Sequence, residues 1–172
     1  MNIIHDISKS RITAEKFVAV TEISKGSNLK YEIDKETGLL ALDRILKTSM
    51  VYPCNYGFIP RTLSEDGDPL DVMIIMDETI PPMTLIECRP VGVIYMEDCG
   101  ERDEKILAVP TFSKLKESSN EMSEFIAHFF ATYKALEKGK IVKITGGGGV
   151  VEAGKIIEEA INLYEKKGAK KK

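Results

Sequence analysis

The order of segment types along the chain limits its architecture more than any other feature. Short β-type segments broken by turn residues come first, and two helical stretches close the chain. Phe17 to Ile23 is rich in β-formers, and Leu29 to Ile33 pairs naturally with Leu39 to Ile45 across the turn Asp34-Lys35-Glu36-Thr37-Gly38. Val72 to Met76, Thr84 to Tyr95, Ile106 to Val109 and Ile141 to Thr145 are the remaining predicted strands, punctuated by Pro81-Pro82 and by the polar stretch from Glu97 to Glu104. Met122, Phe125, Ile126, Phe129, Phe130, Tyr133 and Leu136 recur at helical spacing. Ser118 with Glu121 suits a capping box for that helix, and Gly139 suits its terminator. Ile156, Ile157, Ala160, Ile161 and Tyr164 predict a second helix ending near Gly168, followed by a solvated Lys170 to Lys172 tail. Many short strands, few helices, no repeat and no linker predict a small β-barrel flanked by helices, in one domain over residues 1–172.

Composition narrows the function classes. The 172 residues suffice for a real core, and 43% apolar with 30% charged residues is a globular composition. A net charge of −3 supplies no basic field for nucleic acid or an anionic membrane. Cys54, Cys88 and Cys99 are odd in number and fit no zinc spacing, which suits reduced thiols. No apolar run approaches the ~20 residues of a membrane span, and Met1 to Ser10 lacks the apolar core of a signal peptide. The expectation is a cytoplasmic protein.

Chemistry concentrates in Ser64-Glu65-Asp66-Gly67-Asp68-Pro69-Leu70-Asp71-Val72, where three aspartates fall within six residues around a Gly-Pro bend. Hard divalent cations take oxygen ligands, and carboxylates gathered on one turn provide them. Without a cation, two such charges 4 Å apart repel by roughly 4 kcal/mol at an effective dielectric near 20. A solvated acidic turn is the alternative, since Asp-Gly and Asp-Pro are ordinary turn dipeptides. Cations and hydroxyls accompany the run elsewhere. Lys30 and Glu32 alternate onto one strand face, and Arg44 on the facing strand lies within reach of Lys30. Taken in isolation, those three are better explained by cross-strand ion pairing on a solvated face. Tyr52-Pro53-Cys54-Asn55-Tyr56-Gly57 leads into the aspartates, Asp98, Asp103 and Lys105 share a polar loop, and Tyr133-Lys134 follows Phe129-Phe130.

From Glu22 onward these motifs, in this order, resemble the soluble family I inorganic pyrophosphatases. The resemblance runs through K-Y-E-I-D (Lys30 to Asp34), L-D-R (Leu42 to Arg44), Y-P-C-N-Y-G (Tyr52 to Gly57) and E-D-G-D-P-L-D-V (Glu65 to Val72). It continues through C-R-P-V-G-V (Cys88 to Val93), Asp98 to Lys105, A-V-P (Ala108 to Pro110) and His128 to Lys140. It implies a mainly β fold with α (α+β), a five-stranded OB-like closed β-barrel flanked by two C-terminal helices. It implies Mg²⁺-dependent hydrolysis of pyrophosphate to two orthophosphates, with several Mg²⁺ ions per site and Mn²⁺ or Zn²⁺ as substitutes. Asp66, Asp71 and Asp103 resemble the ligands of the tightest ions, with Asp71 bridging. Asp98 and Asp103 resemble ligands of a further ion, Glu32 one acting through water, and Glu22 another pocket carboxylate. Asp68 matches the general base that acts on a metal-bridging water. Lys30, Arg44, Lys105, Tyr133 and Lys134 resemble the phosphate clamp, with Tyr56 and Tyr52 lining the pocket. The family also implies a homo-oligomer, hexamer favoured, with no nucleic-acid or membrane partner.

Two departures accompany the resemblance. Gly146 to Gly149 stands where many bacterial members have Gly-Trp, and Cys99 stands where relatives often carry a carboxylate. Gly149-x-x-x-x-Gly154-Lys155 nearly makes a phosphate-binding loop, but Ile156 replaces the required Ser or Thr and Lys155 is expected to face solvent. An oligonucleotide-binding barrel would want a basic groove, and a structural Ca²⁺ protein would leave the Lys, Arg and Tyr set unexplained. His5 is expected in a loose N-terminal arm and His128 without a ligand partner.

Overall fold

The computed structural model describes residues 2–169, so the predicted Lys170 to Lys172 tail lies outside the described residues. Strand β1 (Phe17–Ile23) is buried along its whole length. It pairs antiparallel with β4 (Asn55–Phe58), which pairs with β5 (Asp71–Ile74). Strand β5 runs parallel to β8 (Lys105–Pro110), β8 pairs with β6 (Leu85–Asp98), and β6 returns to β1. Five strands therefore close on themselves, as the barrel expectation requires. The 14-residue β6 is long enough to serve two purposes. Leu85 to Ile94 completes the ring, while Val93 to Asp98 also carries β9 (Val142–Gly148) and the short β7 (Glu101–Arg102). Strands β2 (Leu29–Ile33) and β3 (Leu40–Ile45) form a separate hairpin beside the barrel.

Side-chain alternation sends the strands' two faces to two apolar clusters. Val72, Ile74, Ile106 and Ala108 point one way, to Phe17, Ile59 and the Ala153 and Ile157 face of helix α2 (Val150–Ala169). Met73, Leu107 and Val109 point the other way, to Ile23, Tyr52 and the Ile126, Phe129 and Phe130 face of helix α1 (Asn120–Thr132). Cys54 and Cys88 are buried free thiols, as packing residues should be. Among the described residues no helix is long and apolar enough to cross a membrane.

Several local expectations change. The Tyr52 to Gly57 segment contains a buried strand that propensity did not mark. A Cβ on Gly57 would lie 1.8 Å from the Val20 carbonyl oxygen, so glycine is what lets β4 close on β1. The polar stretch after Glu97 is a tight hairpin whose two turn residues, Cys99 (φ 53°) and Gly100 (φ 86°), both take left-handed conformations. The helix cap is Ser119, not Ser118: its Oγ accepts from Met122 N at 3.1 Å, while Ser118 Oγ meets Ser123 Oγ at 2.7 Å. Ser119→Ala should lower stability by about 1 kcal/mol, measured as a lower urea midpoint with unchanged m-value.

Helix α1 ends before Tyr133, which is its C-cap, so Tyr133 and Lys134 lie just past the helix and Gly139 (φ 74°) turns the chain further on. Gly146, Gly147 and Gly148 pair with Tyr95, Ile94 and Val93, and Gly149 N donates to Glu152 Oε2 at 2.9 Å. Gly154 lies inside α2 and Lys155 faces solvent, so the near match to a phosphate loop has no loop. His5 is pinned, because its Nδ1 meets the Tyr164 hydroxyl at 2.7 Å and its neighbour Ile4 packs with Val20, Ile33 and Phe58.

Candidate active site

One cleft of about 300 Å³ opens where the ends of β5, β8 and β6, the β2–β3 hairpin and the C-terminus of α1 converge. Asp71 begins β5 and Lys105 begins β8, and the parallel register sets them side by side. Lys105 Nζ donates to Asp71 Oδ2 at 2.5 Å, to Asp103 Oδ1 at 2.7 Å and to the Tyr56 hydroxyl at 3.3 Å. Its side chain is only 4% exposed. Burial alone would depress the Lys105 pKa, but the two carboxylates more than offset it and hold the ammonium above its ordinary range. Asp71 is raised above the ordinary carboxylate range, chiefly by burial, with Lys105 opposing and Asp103 adding repulsion.

The aspartate turn is tied at its base. Thr62 Oγ1 donates to Ile59 O at 2.5 Å and accepts from Leu70 N at 2.9 Å, and buried Leu70 anchors the turn below. Within it, Ser64 N donates to Asp68 O at 2.7 Å, Asp68 N donates to Asp66 Oδ1 at 2.8 Å, and Gly67 supplies φ 90°. Burial raises the Asp66 pKa, and Asp68, Asp71 and Asp103 raise it further by repulsion.

Opposite the turn, Lys134 contacts Asp98 Oδ2 and holds that carboxyl below its usual range against the effect of burial. Asp98 Oδ1 is buried with no hydrogen-bond partner among the described residues. On the hairpin, Lys30 contacts Glu32 and reaches Asp43 Oδ2 at 3.0 Å. Glu22, on β1, accepts from Ile33 N at 2.8 Å and so ties the hairpin to the barrel. Burial, reinforced by Asp71, pushes the Glu22 pKa up to about 8. An aromatic wall backs the cleft: Tyr52 lies 5.3 Å from Tyr56 and 4.8 Å from Phe129, and Lys105 sits 5.5 Å from the Phe130 ring centre.

A cleft pairing gathered carboxylates with inward-facing ammonium groups suits a polyanion held with cations. The family model for inorganic pyrophosphatase matches residues 19–165. The chain belongs to the inorganic pyrophosphatase family. An inorganic pyrophosphatase of Rickettsia bellii is 45% identical over 94% of this chain and 98% of its own. One from Saccharolobus solfataricus is 50% identical over 81% and 87%. The solved inorganic pyrophosphatase of Helicobacter pylori superposes with a TM-score of 0.85 at 41% identity, over 92% of this chain and 99% of that one.

Within this pyrophosphatase, twelve of the fourteen residues singled out from the sequence line the cleft: Glu22, Lys30, Glu32, Tyr56, Asp66, Asp68, Asp71, Asp98, Asp103, Lys105, Tyr133 and Lys134. Arg44 does not. It stands opposite Lys30 in register, its Nε is 3.8 Å from Asp43 Oδ2, and that nitrogen is buried with no hydrogen-bond partner among the described residues. Tyr52 does not line the cleft either; it is 1% exposed and packs behind Tyr56. Lys35 was missed. It contacts Asp68 from the hairpin turn, and only its place directly after the K-Y-E-I-D motif could have pointed to it.

The donors fit divalent cations of the Mg²⁺ type, which prefer carboxylate oxygens. Asp66, Asp71 and Asp103 repel one another, and Asp98 keeps a buried oxygen unpartnered among the described residues. Among the described residues no three Asp, Glu, His or Cys side chains converge closely enough to hold an ion unaided. Lys105 and Lys134 take the contacts instead.

Proposed function

We propose that this enzyme hydrolyses inorganic pyrophosphate to two orthophosphates in a Mg²⁺-dependent reaction, by direct attack of water with Asp68 as general base. The observation that carries this reading is Lys105, buried between Asp71 and Asp103 at the floor of the cleft. Buried titratable groups that perturb one another and line a cleft mark a functional site. Asp66, Asp71 and Asp103 would hold the tighter ions, Asp98 with Asp103 a further one, with Glu32 supporting them from the hairpin and Glu22 from β1. Bound Mg²⁺ would supply charge neutralisation and Lewis-acid polarisation of phosphoryl oxygen and water, with Mn²⁺ or Zn²⁺ as substitutes.

The chain's own groups do the rest. Lys30, Lys105 and Lys134 offer point charges to phosphoryl oxygens, and Tyr56 and Tyr133 offer hydroxyls that burial keeps protonated. Arg44, opposite Lys30 in register, has an Nε with no hydrogen-bond partner among the described residues and would add a planar fork. Asp68 is 54% exposed on its turn, where a carboxylate can orient a water and accept its proton. Charge leaving with orthophosphate is met by groups already in place, which is the positioning and electrostatic logic of phosphoryl transfer. The same reading has the enzyme as a cytoplasmic homo-oligomer, hexamer favoured. Exposed Phe125, Leu136 and Ile141 are apolar surface that a partner subunit would cover.

Phosphate release from pyrophosphate should be fast with Mg²⁺ and vanish with excess chelator. Asp71→Asn should raise the Mg²⁺ concentration for half activity about tenfold, equivalent to about 1.4 kcal/mol of metal binding. Release that persists in chelator, or an unshifted metal titration in the variant, would overturn the metal role.

A further inference from the structure

We propose that Lys35 is a positioning residue for Asp68, an inference that rests on Asp68 being the general base. Two independent constraints converge on Asp68. The first is its own turn, which fixes the backbone through Ser64 N to Asp68 O and Asp68 N to Asp66 Oδ1. Neither bond restrains the side chain, which is 54% exposed and would otherwise sample its rotamers in water. The second constraint is Lys35, whose Nζ contacts Oδ1 of Asp68 from across the cleft. One carboxylate oxygen is thereby held, which leaves Oδ2 as the oxygen that would act as base.

The backbone that presents Lys35 is fixed, while its side chain is 62% exposed and meets Asp68 in solvent. Lys35 belongs to a turn closed by several hydrogen bonds: Gly38 N to Asp34 O at 2.8 Å, Asp34 N to Leu39 O at 2.9 Å, and Asp34 Oδ1 accepting from Thr37 N and Oγ1, both at 2.7 Å. Gly38, at φ 72°, permits that closure. The hairpin carrying the turn is docked on the barrel by the bond from Ile33 N to Glu22 and by Ile33 packing on Ile4, Val20 and Phe58. The position of Lys35 is therefore set by the same element that presents Lys30 and Glu32. An exposed ion pair of this kind adds little to stability. Its value lies in geometry, since small misplacements of a catalytic group cost rate steeply.

The test is a double-mutant cycle on the full-length enzyme at saturating Mg²⁺, reading kcat and KM for pyrophosphate separately. Lys35→Ala should lower kcat about five- to tenfold with KM changed less than about twofold, and Lys35→Arg should retain most of kcat. In the Asp68→Asn background, Lys35→Ala should change kcat no further, because the group it positions is gone. A loss that appears in KM, or equally in both backgrounds, would make Lys35 a direct phosphate contact and overturn the proposal. Unchanged kcat in Lys35→Ala would overturn it as well. Failure of the underlying reading looks different: Asp68→Asn would then itself turn over like the wild type. Circular dichroism of each variant separates these outcomes from misfolding.

Discussion

Asp68→Asn should lower kcat by a hundredfold or more and leave the fold unchanged, which is about the contribution of a well-placed general base. The amide has the shape of the carboxylate but cannot take a proton from water. The turn that carries residue 68 is held by backbone bonds and by Asp66, Thr62 and Leu70, none of which uses the Asp68 carboxylate. The substitution does loosen the contact with Lys35, but both partners are more than half exposed. Thermal unfolding should therefore move little. The check is kcat at saturating Mg²⁺ and pyrophosphate beside a melting curve of the same preparation. A kcat within about threefold of the wild type would remove Asp68 from the base role.

Lys105→Met should have its largest effect on stability, and the loss should depend on metal. In the absence of divalent cations the variant should be destabilised by about 3 kcal/mol, the cost of leaving buried charge without its partner. Asp71 is already raised by burial and by Asp103 with the ammonium present, and methionine would leave that repulsion unopposed. Added Mg²⁺ should close much of the gap to the wild type, because a cation held by Asp71 and Asp103 restores the missing charge. Activity should stay low even then, since the clamp on phosphate has lost a point charge. The measurement is urea unfolding of both proteins in chelator and in Mg²⁺. Equal stability in chelator would mean that the carboxylates do not need the lysine, and a gap indifferent to Mg²⁺ would mean that they do not take the ion.

Particular residues show how far local pattern carried. The alternation in Val72-Met73-Ile74 and Ile106-Leu107-Ala108 marks strands with two apolar faces, and both lie in the barrel between the α1 and α2 clusters. The β2–β3 hairpin formed as its turn residues predict, and Asp66, Asp68 and Asp71 came together because they share one turn. Asn55–Phe58 was hidden because its burial comes from long-range closure against β1, with Gly57 admitting the Val20 carbonyl. The cap moved by one residue because Ser118 found a side-chain partner in Ser123. His5 was read as loose because its partner, Tyr164, lies at the far end of the chain.

The sequence by itself determined most of the element types, the alternation that builds the two apolar clusters, and nearly every charged group of the cleft. Such features are set by residue chemistry and by spacing within a turn, a strand or a helix. Only the tertiary structure decided that β6 closes on β1, that Lys105 lies between Asp71 and Asp103, and that Lys35 reaches Asp68. Those contacts depend on the register between distant strands and on the docking of a hairpin. Register is settled by which pairing buries the most apolar surface while leaving no buried polar group unpaired, and that is a property of the whole assembled chain.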